Sequence, residues 1–350
     1  MERKLASLEV IKSLRPIPGA DNIEVATVKG WHCVVKKGDF KIGDWCIYFE
    51  VDSVLPELEP FEFLRKNCWI ERYKGFRIKT VKLRGQVSQG LVMPLTIFLS
   101  LKRHIEPAYL EPGIDLTNTF NVQKYVPEIP SCLSGKVVAP FPTNIIPKTD
   151  EERVENLSDT LEQLHGTSIY ITEKLDGSSC TFYLYDDHFG VCGRNWEWEE
   201  DNKNMNWEIA RKYDIENKLR YYKLQTGCEI ALQGEIIGPG IQKNKYNLDK
   251  VTVRFFTSHD LTKHQQDTFA RLLSILRYLN LKPVPIVDKY SILEKDSDYW
   301  IEKSKGFSTL NSRIKREGIV VKTLENKTWP GLGIISFKAI NPEYLLKYGE

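Results

Sequence analysis

Lys174, Asp176 and Gly177 close an apolar run at residues 169–173 in a way that suggests covalent chemistry. The run is rich in β-branched and aromatic residues and reads as a buried strand, and Asp176 and Gly177 form the turn that ends it. A lysine at such a point is ordinarily a solvated charge. Partly dehydrated and held near other cations or a metal, it loses its proton near neutral pH and becomes an amine nucleophile. Three fixed positions recur by chance, so the assignment needs partners elsewhere in the chain.

Partners follow in order. Arg194 ends a strand-like segment and suits a phosphate or carboxylate fork. Glu235 lies inside an otherwise apolar strand, where a carboxylate must be paired, hydrogen-bonded or near a metal. Phe255 and Phe256 offer a ring near a strand end. Glu317 and Lys322 bracket a further run of acid, glycine, apolar strand and lysine. Lys338 is a lone cation in the apolar strand of residues 336–340.

The elements that must position these residues divide the chain in two. Residues 1–125 carry short strand-like runs at 8–11, 24–28, 33–35, 45–51 and 80–83, punctuated by Gly, Pro and Asp, which predict a small OB-like β-barrel. Pro127, Pro130, Pro140, Pro142 and Pro147 predict an extended connection. Residues 126–350 mix strands with segregated helices, an α+β pattern. In it, Thr149 and Glu152 read as a capping box opening a helix that carries Val154, Leu157, Leu161 and Leu164 on one face and stops at Gly166. Arg153 would then oppose the dipole of its own helix and call for solvent or an anion to compensate it. A second helix is predicted over 206–222 and a third over 265–279.

At 350 residues, 41% hydrophobic and 27% charged, the chain is long enough for two cores and is not disordered. Seven scattered cysteines with no zinc-like spacing predict free thiols in a reducing compartment. With neither a signal-peptide pattern nor an apolar run of membrane-spanning length, an intracellular protein free of the membrane is expected. A net charge of +2 makes no global statement about nucleic acid. Residues 65–84 are a local exception. Arg65, Lys66, Arg72, Lys74, Arg77, Lys79, Lys82 and Arg84 face a single acid, Glu71, with Trp69, Tyr73 and Phe76 interleaved. Cations for phosphates and rings for bases predict an RNA-binding face, the alternative being a solvated basic surface over core aromatics.

Together these motifs resemble the covalent nucleotidyltransferases, the ligases and capping enzymes that work through a lysyl-nucleotide. More narrowly, residues 147–154 and 234–242 are similar to ATP-dependent RNA ligases with an N-terminal OB module. The resemblance implies an adenylyltransferase fold for the second domain, ATP and Mg²⁺ or Mn²⁺ as cofactors, and RNA ends or nicks as partners. Lys174 would take AMP from the ATP α-phosphorus. Asp176, Glu235 and Glu317 would serve the metal, through its waters. Arg153 would meet the β- and γ-phosphates, Arg194 the phosphates or RNA end, Phe256 the adenine and Glu173 the ATP site. Glu235 would also bind the adenosine ribose or support the lysine, and Lys322 and Lys338 would neutralise the α-phosphate. Ser336 departs from the pattern, since related phage-type enzymes carry a lysine there.

A DNA ligase or capping guanylyltransferase would share the lysine motif but usually needs a C-terminal OB domain, which a chain ending soon after Lys338 does not show. A non-catalytic RNA-binding protein on a decayed transferase fold would be expected to have lost the lysine or the acids. A monomer is expected, with the oligomeric state otherwise open.

Overall fold

The computed structural model describes residues 4–97, 111–126, 135–330 and 332–348. The first sheet is antiparallel, in the order Leu91–Pro94, Trp45–Phe49, Ala6–Pro16, Ile23–Val28, Trp31–Lys36. Alternation places Leu8, Ile47 and Phe49 on one face with Phe61, Phe76 and Phe120, while Trp31, Tyr48 and Ile11 fill a second core. A smaller sheet orders Gln123–Lys124, Ser53–Pro56, Gly75–Arg77 and Trp69–Ile70, and Thr80–Leu83 pairs with Gln86–Gln89 as a hairpin. The OB-like expectation is met, with the embellishing strands added to it.

Two further sheets build the second half. A seven-stranded antiparallel sheet runs Val137–Pro140, Trp196–Trp198, His188–Cys192, Ser178–Tyr185, Ile230–Ile237, Thr252–Asp260, Gln265–Gln266. The helices Met205–Lys212, Ile215–Thr226 and Phe269–Tyr278 cover one face through Trp207, Leu219, Leu272 and Ile275. A five-stranded sheet runs Glu152–Arg153, Ser336–Ile340, Gly318–Thr323, Ser168–Lys174, Ile286–Ile292. The helices Ser158–Leu164 and Ser297–Ser304 pack on it through Leu161 and Trp300. The turn at residues 175–177 passes the chain from one sheet to the other, so a cleft opens between them. Gly177 is required there: a Cβ would stand 2.3 Å from the carbonyl oxygen of Ile236.

Several local expectations are corrected. Glu152–Arg153 is a strand lying parallel to Ser336–Ile340, a 3-10 turn follows at Val154–Leu157, and the helix starts only at Ser158. Pairing along residues 152–153 outcompetes the capping box, and Arg153 is not in a first helical turn. The segment 206–222 is two helices, broken at Asp214 in the left-handed region (φ 53°). Residues 265–266 are strand, so that helix begins at Phe269. Val137–Pro140 is an edge strand rather than free linker, tolerable for Pro140 because an edge leaves its missing N–H unneeded. Pro127, Pro130 and Cys132 lie outside the described residues; the other six cysteines are free thiols. Among the described residues no helix is long and apolar enough to cross a membrane.

The two halves meet through specific contacts. Gly30 N–H donates to the Glu155 carbonyl (2.8 Å), Trp31 Nε1 donates to Asn156 Oδ1 (2.6 Å), and Lys12 pairs with Asp159 (2.9 Å).

Candidate active site

A cavity of about 360 Å³ lies between the seven- and five-stranded sheets. Lys174 reaches it from the last position of Ser168–Lys174, Lys322 from the adjacent strand Gly318–Thr323, Lys338 from the strand beyond that one, and Glu235 and Phe256 from the facing sheet. The register explains the convergence. Lys174 lies opposite Gly318 and Val320 opposite Lys338, while Ser179 lies opposite Glu235 across the other sheet.

Lys174 donates to Glu317 Oε1. Burial opposes its charge, but Glu317, with Glu235 and Asp176 behind it, raises the ammonium above its ordinary pKa. In the free protein the lysine is therefore protonated. Glu235 is the counterpart: burial, only partly offset by Lys174 and reinforced by Glu317 and Asp176, pushes its carboxyl up to about 8. Crowded carboxyls around one ammonium leave room for more positive charge.

The flanking cations are each assigned an acid. Lys322 Nζ pairs with Glu151 (2.9 Å) and lies 5.6 Å from the centroid of Phe256; burial opposes its charge but Glu151 raises its pKa. Lys338 Nζ lies 3.3 Å from Asp150 Oδ1, yet burial, with Arg153 and Lys174 near, holds it below the ordinary lysine range. Asp150 also receives Arg194 (3.0 Å) and Lys124 (3.7 Å). Although burial opposes its charge, those cations bring it down to about 2. Asp150 and Glu151 fall in the stretch 147–154 that resembles RNA ligases, but their pairing with Lys338 and Lys322 was not legible, because it is set by cations distant along the chain.

The structure also separates the expected residues. Phe256 lines the cavity, whereas Phe255 is buried in the core against Phe182 (6.2 Å). Glu173 lines it too, with Oε2 accepting from the N–H and hydroxyl of Thr309 (3.0 Å each) and Oε1 buried without a partner. Asp176 does not join a carboxylate cage: its Oδ2 is held by Lys245 and by Tyr344 Oη (2.7 Å), and its N–H donates to Tyr246 Oη (2.7 Å). Lys245, Tyr246 and Tyr344 were missed in the sequence, where nothing ties residues 69 and 168 positions away to Asp176. Among the described residues no three His, Cys, Asp or Glu side chains group closely enough to hold an ion alone.

Arg153 does not line the cavity. Its guanidinium is buried toward the first domain, 4.0 Å from Asp52 and 5.5 Å from the centre of Trp31. Asp52 is shared with Arg77 (2.7 Å), which is buried and lies 3.7 Å from the Tyr125 ring. Arg77 is therefore a contact of the domain interior rather than of an exposed RNA face. Arg65, Lys66, Arg72, Lys74, Lys82 and Arg84 are exposed and Lys79 half-buried. The interleaved rings are already engaged: Arg65 covers Trp69 (4.4 Å), Arg72 covers Tyr73 (4.7 Å), and Phe76 is in the core. Ser336 sits opposite Lys322 with its hydroxyl buried and unpartnered.

Residues 167–340 match the RNA ligase family and residues 5–95 an OB-fold domain. The whole chain is similar to solved structures of Naegleria gruberi RNA ligase. A mutant with ATP and Mn is 40% identical with a TM-score of 0.88, the match covering 98% of each chain. The chain belongs to the RNA ligase family. A second mutant of the same Naegleria enzyme, with AMP and Mn, gives 40% identity and a TM-score of 0.88 over 98% of each chain, and its structure with PPi gives 40% and 0.87 over 98% of each. No curated protein sequence matches this ligase. The fold of the ligase is the expected one, an OB-fold domain followed by a mixed α+β nucleotidyltransferase domain.

Proposed function

We propose that this ligase joins RNA 3′-hydroxyl and 5′-phosphate ends with ATP, through a lysyl-AMP on Lys174 and then an adenylylated RNA. The observation that carries it is Lys174, paired with Glu317, lining a cavity together with Phe256, Lys322 and Lys338. The domain division near residue 125, with RNA meeting the exposed cations of residues 65–84, belongs to the same reading.

Phe256 offers a ring for adenine beside the ammonium of Lys322. Lys322 and Lys338, released from Glu151 and Asp150 by a stronger anion, neutralise the α-phosphate as its charge grows. Nζ of Lys174 attacks the α-phosphorus; a nitrogen–phosphorus bond forms, the bond to the bridging oxygen breaks, and pyrophosphate leaves. Glu317 Oε1 is positioned to accept the proton that Nζ gives up. The 5′-phosphate of RNA then displaces Lys174 from AMP, and the 3′-hydroxyl displaces AMP from the RNA.

The donor set fits Mg²⁺ or Mn²⁺. Glu235 and Glu317 are hard oxygen donors in a crowded acidic corner, and their lack of a closed cage suits an ion that retains waters. Such an ion supplies charge that lowers the pKa of the amine and stabilises the phosphate. Asp176 would act on it through the field of its carboxylate.

The test is transfer of label from α-labelled ATP to protein, then sealing of a panel of nicked RNA, DNA and hybrid duplexes. Label on wild type, none on Lys174→Met, and sealing that requires RNA are expected. Labelling of Lys174→Met would sink the assignment.

A further inference from the structure

Trp196 has no part in the chemistry above, yet the residue is 40% exposed where it lines the cavity. Alternation puts Trp196 and Trp198 on the same face of their strand, opposite Glu197, and both line the cavity, Trp198 buried and Trp196 nearer solvent. Glu197 points to the other face, accepting from Tyr183 Oη (2.9 Å) with His188 Nε2 at 2.6 Å. Pairing of Trp196 with Pro140 of the edge strand fixes the backbone. An indole left 40% exposed still has apolar area that burial would stabilise, and a flat apolar ligand is its natural cover.

The surroundings narrow the ligand. Arg194 and Asn195 precede Trp196; Lys148 Nζ donates to Asn195 Oδ1 (3.0 Å), and Arg194 and Lys124 share Asp150. Arg194 and Lys124, with Lys338 (3.3 Å), meet the one carboxylate of Asp150 beside an exposed aromatic face, a combination suited to a phosphate attached to a base. The ring for adenine is already supplied by Phe256 on a different strand, so Trp196 remains for the second substrate. It lies on the same cavity as Lys174.

We propose that Trp196 is the stacking platform for the terminal base of the RNA end that receives AMP, with Arg194 meeting that end's 5′-phosphate in place of Asp150. The proposal rests on the RNA ligase reading. A single-strand base stacked on an aromatic ring accounts for a tenfold or larger change in affinity.

The experiment compares Trp196→Ala and Trp196→Phe in three measurements on the full chain: KM for ATP in label transfer to protein, KM for 5′-phosphorylated nicked RNA in sealing, and quenching of tryptophan fluorescence by that RNA. Expected are a rise of about tenfold in the KM for RNA with Trp196→Ala, at least five times its effect on the KM for ATP, recovery of most of the loss with Trp196→Phe, and weaker quenching with both variants. Equal effects on ATP and RNA would overturn the proposal, as would an unchanged KM for RNA. Failure of wild-type protein to take label from ATP would instead overturn the ligase reading.

Discussion

Lys174 and Glu317, 143 residues apart, form an ion pair beside the cavity between the two sheets. Glu317 raises the lysine pKa against the effect of burial, so the ammonium is held protonated in the free protein. Glu317→Gln should therefore lower the lysine pKa in the free protein while removing the proton acceptor. The rate of label transfer from ATP should fall by about 10²-fold or more. The acid limb of its pH profile should move to lower pH, since deprotonation becomes easier. A limb moved to higher pH would contradict the pairing.

Phe255 and Phe256 are neighbours with opposite fates, one in the core and one on the cavity. Phe256→Ala should raise the KM for ATP roughly tenfold, the equivalent of about 1.4 kcal/mol, with little change in unfolding midpoint. Phe255→Ala should cost about 3–5 kcal/mol of stability, read from urea unfolding. Reversed outcomes would mean the strand alternates the other way.

Glu155 lies at the contact between the domains with both carboxylate oxygens buried and no hydrogen-bond partner in another side chain. Burial, with Glu50 adding to it and Arg153 only partly opposing, pushes its carboxyl up to about 7. The folded state binds this proton more tightly than the unfolded state, so the chain is relatively destabilised as pH rises from the ordinary Glu value through 7. Glu155→Gln should raise the melting temperature at pH 8, by the equivalent of about 1–3 kcal/mol, and leave it nearly unchanged at pH 4. An equal gain at both values would refute the titration.

His259 behaves in the opposite sense. Burial, with Lys322 nearby, pushes it down to about 4, and its Nε2 lies 2.9 Å from Gln233 Oε1. The unfolded imidazole takes its proton near pH 6.5 and the folded one only near 4, so stability falls as pH drops through that window. The full effect is about 3 kcal/mol at most. Urea midpoints measured between pH 7 and 4 should fall, and His259→Gln should flatten that slope; an unaltered slope would exclude His259 as its source.

The strand that ends in Lys174, the order of acids and cations after it, and the OB-like barrel before it were legible in the amino-acid pattern alone. These are local patterns: alternation, apolar runs and turn residues act over a few positions and leave a trace in composition. It was also legible there that Glu235 and Lys338 needed partners, because charge in an apolar strand is costly. Only the tertiary structure decided who those partners are. Glu151 for Lys322, Asp150 for Lys338 and Arg194, and Lys245 with Tyr344 for Asp176 come from separate loops, strands and a helix, brought together by register and sheet packing. The same cause turned Arg153 from a helix-dipole anomaly into a buried link to Asp52, and withdrew Arg77 from the basic face. Long-range pairing competes with local capping and wins where a neighbouring strand offers backbone hydrogen bonds.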